Sequence, residues 1–219
     1  MILIPVKNLS AAKQRLAAVM DQASRTELAQ AMLHDVVATL AAWPRRGDCA
    51  LVTSDPLAFE LAEQYDFEII PDRVNPGETG AIEMATALCV ARGIDSTLVI
   101  PGDIPLIQTS ELDQIFAHAP DEGTVLAPAA DGRGTNAAFR RPANLFPLRF
   151  GNDSFKPHLA AARATGKPCV VLQLPGIALD VDNPDDLRQL LARPGETRTQ
   201  SLLRRWALAG HFPATGTEG

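Results

Sequence analysis

Ser96-Thr97-Leu98-Val99-Ile100-Pro101-Gly102-Asp103-Ile104-Pro105-Leu106 begins as a β-rich apolar run and ends, across a proline and a glycine, in an acid. A short run of Thr, Leu, Val and Ile bounded by turn residues reads as a central strand. A second stretch repeats the plan: Ala178-Leu179-Asp180-Val181-Asp182-Asn183-Pro184 is apolar and then acidic. Side chains alternate along a strand, so Asp180 and Asp182 share one face while Leu179 and Val181 turn to the core. A lone Asp after a strand is ordinarily a turn residue or a helix cap. Asn183 and Pro184 already supply a cap and a first helical residue, with Asp185 and Asp186 in the first turn. Asp180 and Asp182 are left inside an apolar run, where unpaired charge is expensive. Like charges held this close call for a cation, and a hard divalent ion such as Mg2+ or Mn2+ takes carboxylate oxygens while keeping waters or substrate phosphates. With Asp103, the pair points to metal-dependent phosphate chemistry.

Outward from these runs, short strands alternate with helical stretches, the pattern of an α/β sheet covered on both faces. Strands are expected at 1–6, 49–53, 67–71, 96–100, 123–128, after the glycine-rich turn 131–134, at 170–172 and at 179–181. Ser24-x-x-Glu27 reads as a capping box, followed by Leu28, Met32, Val36, Leu40 and Trp43 at helical spacing. Further helices are expected from Pro56 to Tyr65, Ala81 to Arg92, Ser110 to His118, after Ser154 and up to Arg193. The turn-rich loop Asn75-Pro76-Gly77-Glu78-Thr79-Gly80 stands at a strand end, where such folds carry ligands. The apolar residues Leu202, Leu203 and Trp206 read as a last helix, packed on its own domain or serving a homodimer. No internal repeat is present.

A chain of 219 residues is within reach of one domain with a sizeable core. Residues 1–210 are expected to form it and 211–219 to fray. The net charge of -6 excludes a general nucleic-acid or anionic-membrane surface. No apolar stretch approaches the roughly 20 residues of a membrane span, so a cytoplasmic protein is expected. Cys49, Cys89 and Cys169 are widely spaced and suggest neither a disulfide framework nor a zinc site.

Basic residues gather after the first strand, at Lys7, Lys13 and Arg15. Such a run is commonly a solvated helix face. In this position it also suits a triphosphate, because the loop offers backbone N–H groups and lysine adds compact charge. It is not a Walker A loop, which needs Gly-x-x-x-x-Gly-Lys.

Five motifs occur together in order: Pro5-Val6-Lys7-x-Leu9-x-x-Ala12-Lys13-x-Arg15-Leu16, Pro101-x-Asp103-x-Pro105, Asp131-Gly132-x-Gly134-Thr135-Asn136, Phe150-Gly151-x-x-Ser154-Phe155-x-x-His158, and Leu179-Asp180-x-Asp182-x-Pro184-x-Asp186-Leu187. They span nearly the whole chain, which resembles the 2-phospho-L-lactate guanylyltransferase family. The resemblance implies a single-domain mixed sheet flanked by helices, like that of nucleotide-diphospho-sugar transferases. It also implies a step in making coenzyme F-420, in which GTP and a phosphorylated three-carbon acid give a guanylylated product and pyrophosphate. A transferase acting on the deazaflavin precursor would consume that product.

Carried over by position, Asp103, Asp180 and Asp182 match the metal-holding acids, and Thr135, Gly151 and Ser154 match positions that hold the acceptor acid. Lys7, Lys13, Arg15 and Asp103 form the catalytic set. Lys13, Ser54, Asp55 and Gly80 are expected to bind the nucleotide, with Asp55 or Glu78 accepting from guanine, although Asp55 before Pro56 equally reads as a helix cap. His158 falls one turn along its helix and reads as a packing or supporting residue.

One departure bears on the acceptor. Family members commonly read Gly-Leu-Asn-x-Ala where this chain has Gly80-Ala81-Ile82-Glu83-Met84-Ala85. An altered pocket fits an altered acceptor, so 3-phospho-D-glycerate is favoured over phosphoenolpyruvate and 2-phospho-L-lactate. The competing classes are another metal-dependent nucleotidyl- or glycosyltransferase and a non-catalytic GTP-binding regulator.

Overall fold

Ile2–Pro5 forms the first strand, β1, and is buried along its whole length in the computed structural model, which describes residues 1–72, 78–151 and 153–208. Ile2 and Ile4 pack into one apolar cluster with Leu28, Met32 and Val36, whereas Leu3 packs into a second with Ile82 and Ala85. A strand buried on both faces belongs inside a helix-covered sheet.

The other described strands are Cys49–Thr53 (β2), Glu68–Pro71 (β3), Thr97–Val99 (β4), Gly123–Pro128 (β5), Thr135–Arg141 (β6) and Cys169–Val171 (β7). They pair in the order β3-β2-β1-β4-β6-β5-β7. β1 is parallel to β2 and β4, β2 to β3, and β5 to β7, while β6 runs antiparallel to β4 and β5. This is the mixed, helix-flanked sheet expected from sequence. The chain steps from β1 outward to β2 and β3, then returns across β1 to β4. Ligands in open α/β sheets gather beyond the carboxyl ends of strands at such a reversal.

The helices are Gln22–Ala42 (α1), Pro56–Gln64 (α2), Glu78–Ala91 (α3), Thr109–Ala117 (α4), Phe155–Ala164 (α5), Pro184–Ala192 (α6) and Arg198–Leu208 (α7). None is long and apolar enough to cross a membrane. Asn183 caps α6 as expected, accepting from Asp185 N and Asp186 N, with Pro184 at the first turn.

Several expectations change. The start of α1 is not the Ser24 box: Asp21 is the cap, its carboxylate accepting from Ser24 N at 2.7 Å. An ionised acceptor one turn earlier satisfies the N3 amide and extends the helix. Residues 179–181 are not a sheet strand. Leu179 and Val181 do enter the core, but the segment is tied to its neighbours by Val181 N donating to Asp103 O and Ala130 N donating to Ala178 O. Ser154 precedes α5 without capping it by its side chain.

The last helix folds onto its own domain. Asp35 of α1 accepts from Arg198 N, Thr199 N and Thr199 Oγ1, and Leu202 and Leu203 are buried. Leu202 and Leu203 of the expected apolar run are therefore covered within the chain, and Trp206 is half-buried beside them. The expected frayed end 211–219 and residues 75–77 of the expected loop lie outside the described residues, whereas Glu78, Thr79 and Gly80, expected in that loop, form the first turn of α3.

Candidate active site

The carboxyl ends of β1 and β4 open into a cleft of about 760 Å³, lined by Lys7, Lys13, Arg15, Glu78, Asp103, Thr135, Gly151, Ser154, Asp180 and Asp182 among others. That size suits a small-molecule ligand. Ser54, Asp55 and Gly80 are not among the described residues that line it.

One end of the cleft is charged. After β1 the chain makes two 3-10 turns, Leu9–Ala11 and Gln14–Leu16, with Lys13 between them in the left-handed region at φ 55°. Asp55 holds this loop, because its carboxylate accepts from Leu9 N at 2.5 Å as well as from Leu57 N at the start of α2. Both of its oxygens are engaged inside the protein. The Lys13 ammonium reaches across the cleft to Asp103 Oδ2 at 2.5 Å and Asp182 Oδ1 at 2.8 Å, and its side chain is only 8% exposed. Burial works against this charge, but the carboxylates of Asp103 and Asp182 prevail and hold its pKa above the ordinary lysine value. Arg15 approaches Asp182 Oδ2 at 3.3 Å. Asp182 is likewise opposed by burial and stabilised by Lys13, so its carboxyl titrates below the usual range.

The third acid is placed differently. Burial raises the pKa of Asp180, while Asn136 Nδ2 donates to its Oδ1 at 3.0 Å and partly offsets that effect. The same amide donates to the carbonyls of Ile177 and Ala178, so Asn136 fixes the turn before the acid pair. Among the described residues no group of three or more His, Cys, Asp and Glu side chains closes into a metal cage. Lys13 lies where a cation would bridge Asp103 and Asp182. Asp103 Oδ1 is buried with no hydrogen-bond partner, a costly state for a carboxylate oxygen. An orphaned hard oxygen beside two more acids fits a divalent ion, which Asp103, Asp180 and Asp182 could hold.

Lys7 flanks this end and pairs with Asp72 at 3.0 Å, whose backbone carbonyl accepts from Ser54 Oγ. Glu78, at the start of α3, is pushed up to about 7 by burial and then by the charge of Asp103.

The other end is nearly neutral. Thr135 opens β6 and Ser154 precedes α5; both are buried and both line the cleft. Ser154 Oγ donates to Thr135 Oγ1 at 3.3 Å. Gly151 has φ 132°, a backbone that L side chains rarely adopt, which suits a close backbone approach to a ligand. The loop before it is fixed from behind by α3: Thr79 Oγ1 accepts from Phe150 N at 2.9 Å and Glu83 Oε1 accepts from Leu148 N at 2.9 Å. Arg133 and Asp153 pair across the rim through a short hydrogen bond at 2.5 Å.

Thus the expected Lys13 bonds both Asp103 and Asp182, Arg15 reaches Asp182, Asp180 stands beside them, and Thr135, Gly151 and Ser154 share the opposite end. Asn136, Asp72, Thr79 and Glu83 carry supporting roles that sequence reasoning missed. Asn136 was visible inside the Gly134-Thr135-Asn136 motif but had no assigned partner.

Comparison with known proteins gives the arrangement relatives. A family model described as guanylyl transferase CofC like matches residues 1–217. The phosphoenolpyruvate guanylyltransferase of Roseiflexus castenholzii is 34% identical over 206 residues, covering 94% of each chain. That of Sphaerobacter thermophilus is 35% identical over 188 residues, covering 85% of this chain and 90% of the relative. The 2-phospho-L-lactate guanylyltransferase of Methanothermobacter thermautotrophicus is 34% identical over 204 residues, covering 93% of this chain and 89% of the relative. Among solved structures, a protein of Desulfovibrio desulfuricans assigned to the nucleotide-diphospho-sugar transferases matches with TM-score 0.76 at 19% identity, covering 94% of each chain.

Proposed function

The chain belongs to the family of CofC-like guanylyl transferases, and from that premise we propose that it joins GTP to phosphoenolpyruvate with release of pyrophosphate. The observation that carries this reading is Lys13, held between Asp103 and Asp182 at the strand reversal in a cleft that Thr135, Gly151 and Ser154 also line. A cationic end suits a triphosphate, and hydrogen-bond donors without added charge suit a small phosphorylated acid.

The acceptor phosphate is ionised at neutral pH, so no general base is required. One of its oxygens bonds to the α-phosphorus of GTP as the bond to the bridging oxygen breaks, and pyrophosphate leaves with the electron pair. Lys7, Lys13 and Arg15 neutralise charge on the phosphates, while Thr135, Ser154 and the Gly151 backbone hold the acceptor in line. Mg2+ or Mn2+, carried by Asp103, Asp180 and Asp182, would add charge neutralisation where the two phosphates meet. The guanylylated product would pass to a transferase acting on the deazaflavin precursor of coenzyme F-420.

Phosphoenolpyruvate is placed ahead of 3-phospho-D-glycerate for a physical reason. The altered stretch of α3, the ground for expecting 3-phospho-D-glycerate, does not line the cleft: Ala81 and Ile82 are core residues and Glu83 accepts from Leu148 N. The test is pyrophosphate release from GTP and Mg2+ with phosphoenolpyruvate, 2-phospho-L-lactate and 3-phospho-D-glycerate offered separately, with Asp103→Asn as control. Release with phosphoenolpyruvate, abolished in the control, is the expected result. Preference for another of the acids would reassign the acceptor, and silence with all three would sink the activity.

A further inference from the structure

His158 is buried to 1% exposure on α5, beneath the acceptor end of the cleft, and both of its ring nitrogens are engaged. Arg149 N lies 2.7 Å from Nε2, and Thr135 Oγ1 lies 2.9 Å from Nδ1. A backbone N–H can only donate, so Nε2 must accept and carry no proton. A neutral ring then has its proton on Nδ1 and donates it to Thr135. Ser154 Oγ donates to the same hydroxyl oxygen at 3.3 Å. Two donors fill the lone pairs of Thr135 Oγ1, which leaves its own proton for a partner in the cleft that Thr135 lines.

We propose that His158 is a positioning residue that converts the Thr135 hydroxyl into a one-way hydrogen-bond donor for the anionic acceptor. A free threonine hydroxyl rotates and can either donate or accept. Fixed as a donor it favours a carboxylate or phosphate oxygen and disfavours a ligand group that must itself donate. Burial, followed by the charge of Arg140, lowers the His158 pKa to about 4, which keeps the ring neutral at physiological pH. Arg140 is itself wholly buried, donating to Phe146 O and Thr86 Oγ1. The inference adds to the motif-based assignment of Thr135, because it explains how the hydroxyl's direction is set, and it rests on the acceptor reading above.

The test is a double-mutant cycle on the steady-state constants for phosphoenolpyruvate, with GTP and Mg2+ saturating. His158→Leu, which removes the ring's donor, raises the KM for phosphoenolpyruvate by about tenfold, the scale of one hydrogen bond to a charged group, while the KM for GTP stays unchanged. His158→Asn, which keeps an N–H near Nδ1, recovers part of the loss. In a Thr135→Val background His158→Leu has no further effect on that KM. A KM rise that persists in the Thr135→Val background would overturn the proposal, since His158 would then act otherwise than through Thr135. Nitrogen-15 spectra of the wild-type ring give a reading that needs no variant: a proton on Nδ1 with bare Nε2 supports the proposal, and the opposite tautomer or an imidazolium at pH 7 rejects it. A wild type inactive with all three acids would remove the acceptor reading and this inference with it, whereas an active wild type with additive variants would remove the inference alone.

Discussion

The two ends of the cleft are built on opposite principles. At one, Lys13, Arg15, Asp103 and Asp182 balance charge against charge across loops far apart in sequence. At the other, His158, Thr135 and Ser154 form a buried chain of neutral hydrogen bonds, braced by Thr79 and Glu83. The charged end is satisfied by an internal cation that an arriving ligand can exchange, and a buried charge is strongly destabilised when its partner is lost. The neutral end is satisfied without ligand and keeps one donor in reserve. Under the proposed function, exchange would suit the uptake and release of triphosphate and pyrophosphate, and preorganisation the orienting of a small acid.

Substitutions can break this contrast or sharpen it. The largest expected effect is at the charged end, where Asp103→Asn lowers pyrophosphate release by about 100-fold or more, measured with a coupled phosphate assay, because both the cation site and the partner of Lys13 are impaired. Lys13→Met should separate metal from chemistry: activity falls, but Mn2+ binding to the nucleotide-free protein, read by electron paramagnetic resonance, tightens by about tenfold, since the acids no longer share an internal cation. Unchanged or weaker Mn2+ binding would mean that the ammonium does not compete.

The neutral end is exposed by pH. The folded pKa of His158 is lowered to about 4 by burial and then by Arg140, so its contribution to stability is fully present above the ordinary histidine value near 6.5. That contribution is lost as pH falls toward 4, because the unfolded chain binds a proton that the folded chain refuses, at a slope of at most about 1.4 kcal/mol per pH unit. Glu78, raised to about 7, works in the opposite direction over part of the same range. The comparison of wild type with His158→Asn by urea denaturation from pH 7 to 4.5 cancels Glu78, and the wild type should lose stability more steeply. The smallest effect is expected from Glu83→Gln, which weakens the bond to Leu148 N and raises the phosphoenolpyruvate KM about threefold. An equal rise in the GTP KM would show that the two ends are not separate.

The sequence was legible where local pattern and chemistry coincide. Asp103, Asp180 and Asp182 stood out as acids in apolar runs, and the alternation that sends Leu179 and Val181 inward holds even though the segment joins no sheet strand. Its stated strand identity failed because sheet membership depends on a neighbour, and here the available partners are single amides and carbonyls of the loops around Asp103 and Ala130. The α1 boundary moved for a local reason, a stronger cap at Asp21. The supporting residues were hidden because their roles exist only between distant segments. Asn136 meets Asp180 across 44 residues and Glu83 meets Leu148 across 65, and neither pairing leaves a periodic mark. His158 was visible in its motif, yet only the fold shows which nitrogen faces which partner.

Lys13 and Asp182 are 169 residues apart in the chain, and the bond between them joins its two ends. A growing polypeptide that has passed β4 and the Pro101-Gly102-Asp103 turn already carries Lys13 and Asp103, but not Asp180 and Asp182. Such long-range closure comes late in folding, after the entropy of ordering the intervening chain has been met. A fragment ending before residue 180 would therefore present an ammonium beside a single carboxylate, and the charge balance around Lys13 is completed only near the end of synthesis.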